Sequence, residues 1–127
     1  MKIARYIFPL LILPLVLGQC SRPKEGISCT GTMSFRHDII PIFQEHCAIS
    51  GCHTGANPTG YLKLDSAVAY GDLQSGSYFH AGQANYSILY NQVTGGGGAP
   101  IMPPTGQLPD SLTHKIYCWI QQGALDN

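Results

Sequence analysis

Between Met33 and Cys47 the apolar residues fall on one side of a helix. Phe35, Ile39 and Phe43 recur at every fourth position, and Ile40 and Ile42 widen that face. The spacing predicts a helix over 33–47, with Ser34 as its N-cap and Pro41 either starting it or kinking it. A second stripe closes the chain: Leu108, Leu112, Ile116 and Ile120, with Trp119 beside them. Asp110 and Ser111 suit the first turn of that helix, and Gly123 suits its C-terminal cap. Between the two stripes the pattern weakens. Residues 61–73 predict an extended start and a short helix after Asp65 or Ser66. Residues 86–93 predict one or two helical turns. The run "TGGGGAPIMPPTGQLP", 94–109, predicts a loop without regular structure. No alternating segment marks a strand and no internal repeat is visible. The pattern is all-α, with short helices on long loops. Loops this long imply that something other than the chain fills the centre.

The N-terminus has a different pattern. Lys2 and Arg5 precede an apolar run from Ile7 to Leu17, about 11 residues long. A bilayer span needs about 20, so the run suits the core of a signal peptide. Gly18-Gln19-Cys20 follows and resembles the lipobox of bacterial lipoproteins, where the thiol is lipidated. Gln19 stands where that motif usually has a small residue. An ordinary signal peptide with an incidental Cys20 is the alternative. The expected organisation is a signal peptide over 1–19, a lipidated Cys20 with a polar tether over 20–32, and one domain over 33–127. The mature protein is expected outside the cytoplasm, facing the periplasm and anchored to a membrane through its lipid.

Charge adds mainly exclusions. Charged residues make up 11 % of the 127, and the formal net charge is zero. Without residues 1–19 it becomes −2, from five basic and seven acidic side chains. No basic run points to nucleic acid. Fifteen Gly and nine Pro limit the core, and a small domain of this kind needs a staple such as a disulfide, a metal or a cofactor.

The chemistry gathers in "CAISGCH", Cys47 to His53. Two thiols ahead of a histidine can attach the two vinyl groups of a haem, leaving the imidazole to bind iron. The common form of that motif is C-x-x-C-H. Here the insert has four residues, so the motif alone also admits a Cys47–Cys52 disulfide loop in an exported protein. Zinc would need a fourth ligand that no second Cys/His cluster supplies. A thioredoxin-like motif expects a βαβ frame, and a blue-copper site expects strands.

The surrounding segments carry a resemblance. "DIIPIFQEHCAISGCH", "GYLKLDS", "IMPP" and "IYCWIQQGALDN" occur in that order. Over roughly residues 33–127 the chain resembles small c-type cytochrome domains of exported bacterial proteins, including lipoproteins. The resemblance implies an all-α, cytochrome c-like domain packed around one haem, with its first and last helices in contact. It implies one covalent haem c on Cys47 and Cys52, with His53 and Met102 as axial ligands of the iron. A thioether opposite an imidazole raises the reduction potential. His37, His46, His80 and His114 are competitors for the distal position, with His80 the foremost, and Met33 comes last. Under the same frame Phe35, Ile39 and Phe43 meet Ile116, Trp119 and Ile120. Trp119 is expected in the core near the haem edge. Cys29 and Cys118 are then left for a disulfide, the alternative being two buried thiols.

The function implied is electron transfer with redox partner proteins of the cell envelope, and not catalysis. Two alternatives stay open: a haem-based sensor whose Met102 is easily displaced, and a haem-free interaction lipoprotein stapled by disulfides.

Overall fold

The computed structural model describes residues 26–127. The proposed signal peptide and Cys20 lie outside the described residues. Among those described there are four α-helices and no strand, as an all-α cytochrome c-like domain requires. They are α1 (Ile40–His46), α2 (Ala69–Ser75), α3 (Ile88–Thr94) and α4 (Asp110–Gln121).

The helix expected over 33–47 is two segments. A π-helical turn, Phe35–Ile39, runs into α1. The cause is Pro41, which has no amide hydrogen and sits in the first turn of α1. The Ile40 amide just before it reaches five residues back, to the Phe35 carbonyl. Ser34 caps the segment: its hydroxyl accepts from the His37 amide at 3.2 Å. Its own amide donates to the Asp38 carboxylate at 2.9 Å.

The other end of the chain closes the same turn. Phe35 and Arg36 amides donate to the side-chain and backbone oxygens of Asn127, both at 2.9 Å. Two amides that a helix start leaves unpaired are satisfied this way. Above them the Phe35 and Trp119 rings pack with centroids 5.1 Å apart. Ile39, Phe43, Ile116 and Ile120 are fully buried in the same core. The first and last helical segments are therefore in contact. Trp119 donates from its indole nitrogen to the Leu125 carbonyl at 2.9 Å, which pairs the one polar atom of a buried ring.

Cys29 and Cys118 are joined by a disulfide, with Cα atoms 5.5 Å apart and 89 positions of sequence between them. Gln122 secures the same crossing. Its amide accepts from Met33 N and donates to the Gly31 carbonyl, both at 2.8 Å. Residues 29–33 thus lie fastened along the last helix.

Helix α2 begins at Ala69, later than Asp65 or Ser66, because the Asp65 carbonyl first closes a turn onto the Val68 and Ala69 amides. Helix α3 ends at Gly95, whose φ of 70° is left-handed. The glycine run then makes one 3-10 turn, Gly96–Gly98, where no regular structure was expected. Gly123, with φ of 108°, follows α4.

Candidate functional site

Cys47 caps the C-terminal end of α1. The four-residue insert after it is a closed turn. The Cys52 amide donates to the Ile49 carbonyl at 2.9 Å, and the His53 amide to the Cys47 carbonyl at 3.1 Å. Gly51 makes this possible with a φ of 84°, a conformation that L side chains rarely adopt. The insert therefore brings the start and the end of the motif together.

The next segment fixes the histidine. Leu62 is extended, and its carbonyl lies 3.1 Å from Nδ1 of His53. A carbonyl accepts only, so Nδ1 carries the proton and Nε2 keeps its lone pair. The Leu64 amide donates to the His53 carbonyl at 2.8 Å, which binds the two strands of this loop together. The Thr54 hydroxyl donates to the Asp65 carboxylate nearby.

Met102 reaches the same place from the far side of the sequence. Its amide donates to the Gln92 carbonyl on α3 at 2.8 Å. That bond anchors a loop that otherwise has few internal ones.

Cys47, Cys52, His53 and Met102 all line one cavity of about 220 Å³. Its walls are mainly apolar: Leu62, Leu64, Leu89 and Val93, with Pro103 and Pro104 beside Met102. The donor set and the walls fit a haem. Two thiols stand near one another, an imidazole with a free Nε2 sits beside them, and a thioether comes from a separate loop. An apolar lining suits a porphyrin face and lowers the local dielectric.

The remaining candidates separate cleanly. His46 lines the cavity beside Cys47. Its Nε2 is 3.8 Å from the Glu45 carboxylate. His37, His80, His114 and Met33 are not among the lining residues. His80 is held through its amide by the buried Ser87 hydroxyl at 2.9 Å. Trp119 is core and does not line the cavity. Gln92 does, and sequence reasoning missed it, because nothing in "YNQV" marks it apart from its helical turn.

Cys47 and Cys52 are free thiols in the structure. Burial pushes the Cys47 thiol up to about 11, with the neighbouring Cys52 adding to the effect. At neutral pH Cys47 is therefore a protonated thiol and a weak nucleophile toward disulfide exchange.

Residues 50–106 match the family model described as Planctomycete cytochrome C. The matched span takes in Cys52, His53, Leu62, Gln92 and Met102, and begins three residues after Cys47. No curated protein and no solved structure matches the chain. The match supports a cytochrome c-like domain and, at that coarse level, haem-based electron transfer.

Proposed function

We propose that this protein is a monohaem c-type cytochrome that relays single electrons and catalyses no reaction of its own. The observation that carries the proposal is the convergence of Cys47, Cys52, His53 and Met102 on one apolar cavity. When bound, haem supplies an iron that gains and loses one electron.

The chain's residues have separate tasks in this reading. The sulfurs of Cys47 and Cys52 would hold the group covalently, and the turn closed by Gly51 sets where they stand. Nε2 of His53 would bind its iron, with the ring oriented by the Leu62 carbonyl. Met102 would supply a second iron ligand, and the Gln92 carbonyl holds its backbone. With both side chains committed to the iron no place would be left there for a substrate, which favours a carrier over an enzyme or a gas sensor. The apolar walls lower the local polarity, so less solvent reorganises there when charge changes.

The rest of the reading comes from the sequence. The N-terminal pattern supports export and lipid attachment at Cys20, with the domain on the periplasmic side of a membrane and redox proteins of the cell envelope as partners. The bonded Cys29–Cys118 pair suits an oxidising compartment.

Optical spectra of the periplasmically expressed protein test the proposal. Haem colour surviving denaturation and a far-red sulfur-to-iron band in the oxidised form are expected. A colourless chain, or strong carbon monoxide binding by the native reduced protein, would reject it.

A further inference from the structure

The cavity leaves His114 unused, and this histidine belongs to a second cluster. Among the described residues, Cys29, His114 and Cys118 bring their ligand atoms within 4.8 Å of one another. None of the three lines the cavity. His114 and Cys118 are four positions apart on α4, so both project from one side of that helix. Cys29 meets them from the segment fastened along it.

A disulfide needs two cysteines and no imidazole, yet the ring is held in place here. Its Nε2 lies 3.1 Å from the carbonyl oxygen of Ser28, the residue before Cys29. A carbonyl only accepts, so Nε2 carries the proton and Nδ1 keeps its lone pair. Metal-binding histidines are ordinarily oriented in this way. The crossing is also fastened by bonds that do not involve the sulfurs. Gln122 accepts from the Met33 amide and donates to the Gly31 carbonyl, both at 2.8 Å. Burial grades across the cluster: Cys118 is fully buried, Cys29 partly, and His114 is exposed. His114 shares a cleft of about 320 Å³ with Asp110 and Thr113. The cleft gives a cation and its water a way in, and the Asp110 carboxylate favours positive charge there.

We propose that the dithiol form of this protein has a zinc site made of the Cys29 and Cys118 sulfurs and the His114 imidazole, with water in the fourth place. Two sulfurs, one nitrogen and one open position are a four-coordinate set that zinc accepts. Two thiolates and one zinc ion are neutral together, which suits a site partly inside the core. Metal and disulfide exclude each other, since a bonded sulfur has no thiolate charge to give. The exchange between them balances. A dithiol reductant breaks the S–S bond, supplies two electrons and two protons, and closes its own disulfide. Zinc then displaces the two thiol protons. A chain made in a reducing compartment starts with both thiols free, so the metal site precedes the bond and shields the pair from early oxidation. The inference does not rest on the haem reading.

The experiment opens the disulfide of the purified, haem-loaded protein with dithiothreitol and removes the reductant under nitrogen. Zinc alone is the probe, counted by equilibrium dialysis and metal analysis. The dithiol form should bind one zinc per chain more than the disulfide form. X-ray absorption at the zinc edge should show sulfur at about 2.3 Å and nitrogen at about 2.0–2.1 Å. His114→Ala should weaken that zinc about 100-fold, while its disulfide form melts and absorbs as the parent does. Zinc should slow re-formation of the bond by oxidised glutathione about tenfold in the parent, and not in His114→Ala. Equal zinc in the dithiol and disulfide forms, a zinc environment without sulfur, or undiminished binding by His114→Ala overturns the proposal. So does a bond that opens only as the near-ultraviolet circular dichroism of the fold is lost.

Discussion

Nδ1 of His53 lies 3.1 Å from the carbonyl oxygen of Leu62. The two residues are nine positions apart, and the bond decides which imidazole nitrogen is free. A ring held at Nδ1 turns its Nε2 lone pair into a fixed ligand and becomes a better donor. His53→Ala should lower the yield of haem-loaded protein about tenfold or more. What haem remains should lose the low-spin spectrum. Absorbance of the purified, denatured protein measures the yield, and that of the native protein the spin state.

Met102 makes the complementary prediction. Met102→Ala should remove the far-red sulfur-to-iron band and lower the reduction potential, because a thioether favours reduced iron. The covalent haem should stay, since Cys47 and Cys52 are untouched. Spectroelectrochemical titration reads both effects. A band that persists would transfer the ligand role away from Met102.

The Cys29–Cys118 bond closes a long loop without lining the cavity. Replacing both cysteines by serine should cost about 4 kcal/mol of stability in the chain-entropy account. The spectrum should hardly change. Denaturant titration of the holoprotein, followed by near-ultraviolet circular dichroism, separates the two.

Asp38 gives a pH dependence with a definite sign. The Ser34 amide is the main reason its carboxyl lies below the usual 3.8, and Lys115, 3.3 Å away, adds to it against the opposing effect of burial. A carboxylate whose folded value is depressed stabilises the fold above the unfolded value. That contribution is lost as pH falls from about 3.8 through the lower folded value. Asp38→Asn should therefore destabilise the fold at neutral pH by about 0.5 kcal/mol, roughly what a partly exposed pair retains, and lower the Tm accordingly. The gap to the parent should close in acid. Thermal unfolding at a series of pH values checks this.

Much of the site was legible because its chemistry is local in sequence. Cys47, Cys52 and His53 sit within one turn, and Met102 stands out in a loop of glycine and proline. The two end helices were legible from their apolar stripes and caps. Other features depend on atoms that periodicity does not report. The π-turn before α1 follows from the missing amide of Pro41, which a count of apolar positions passes over. The Asn127 cap on Phe35 and Arg36 joins residues 92 and 91 positions apart, so no local window contains it. The role of the four-residue insert was also invisible. It closes a turn through a left-handed Gly51, and only the backbone angles show it.

The central claim is that one haem is bonded to this chain through both thiols of "CAISGCH". Its most direct test is the pyridine haemochrome spectrum of the denatured, acid-acetone-washed protein, compared with that of a Cys47→Ser variant. The account predicts one haem per chain with both vinyl groups saturated, and one vinyl left free in Cys47→Ser. Haem that washes out of the parent, or a parent spectrum that already shows a free vinyl group, would contradict it.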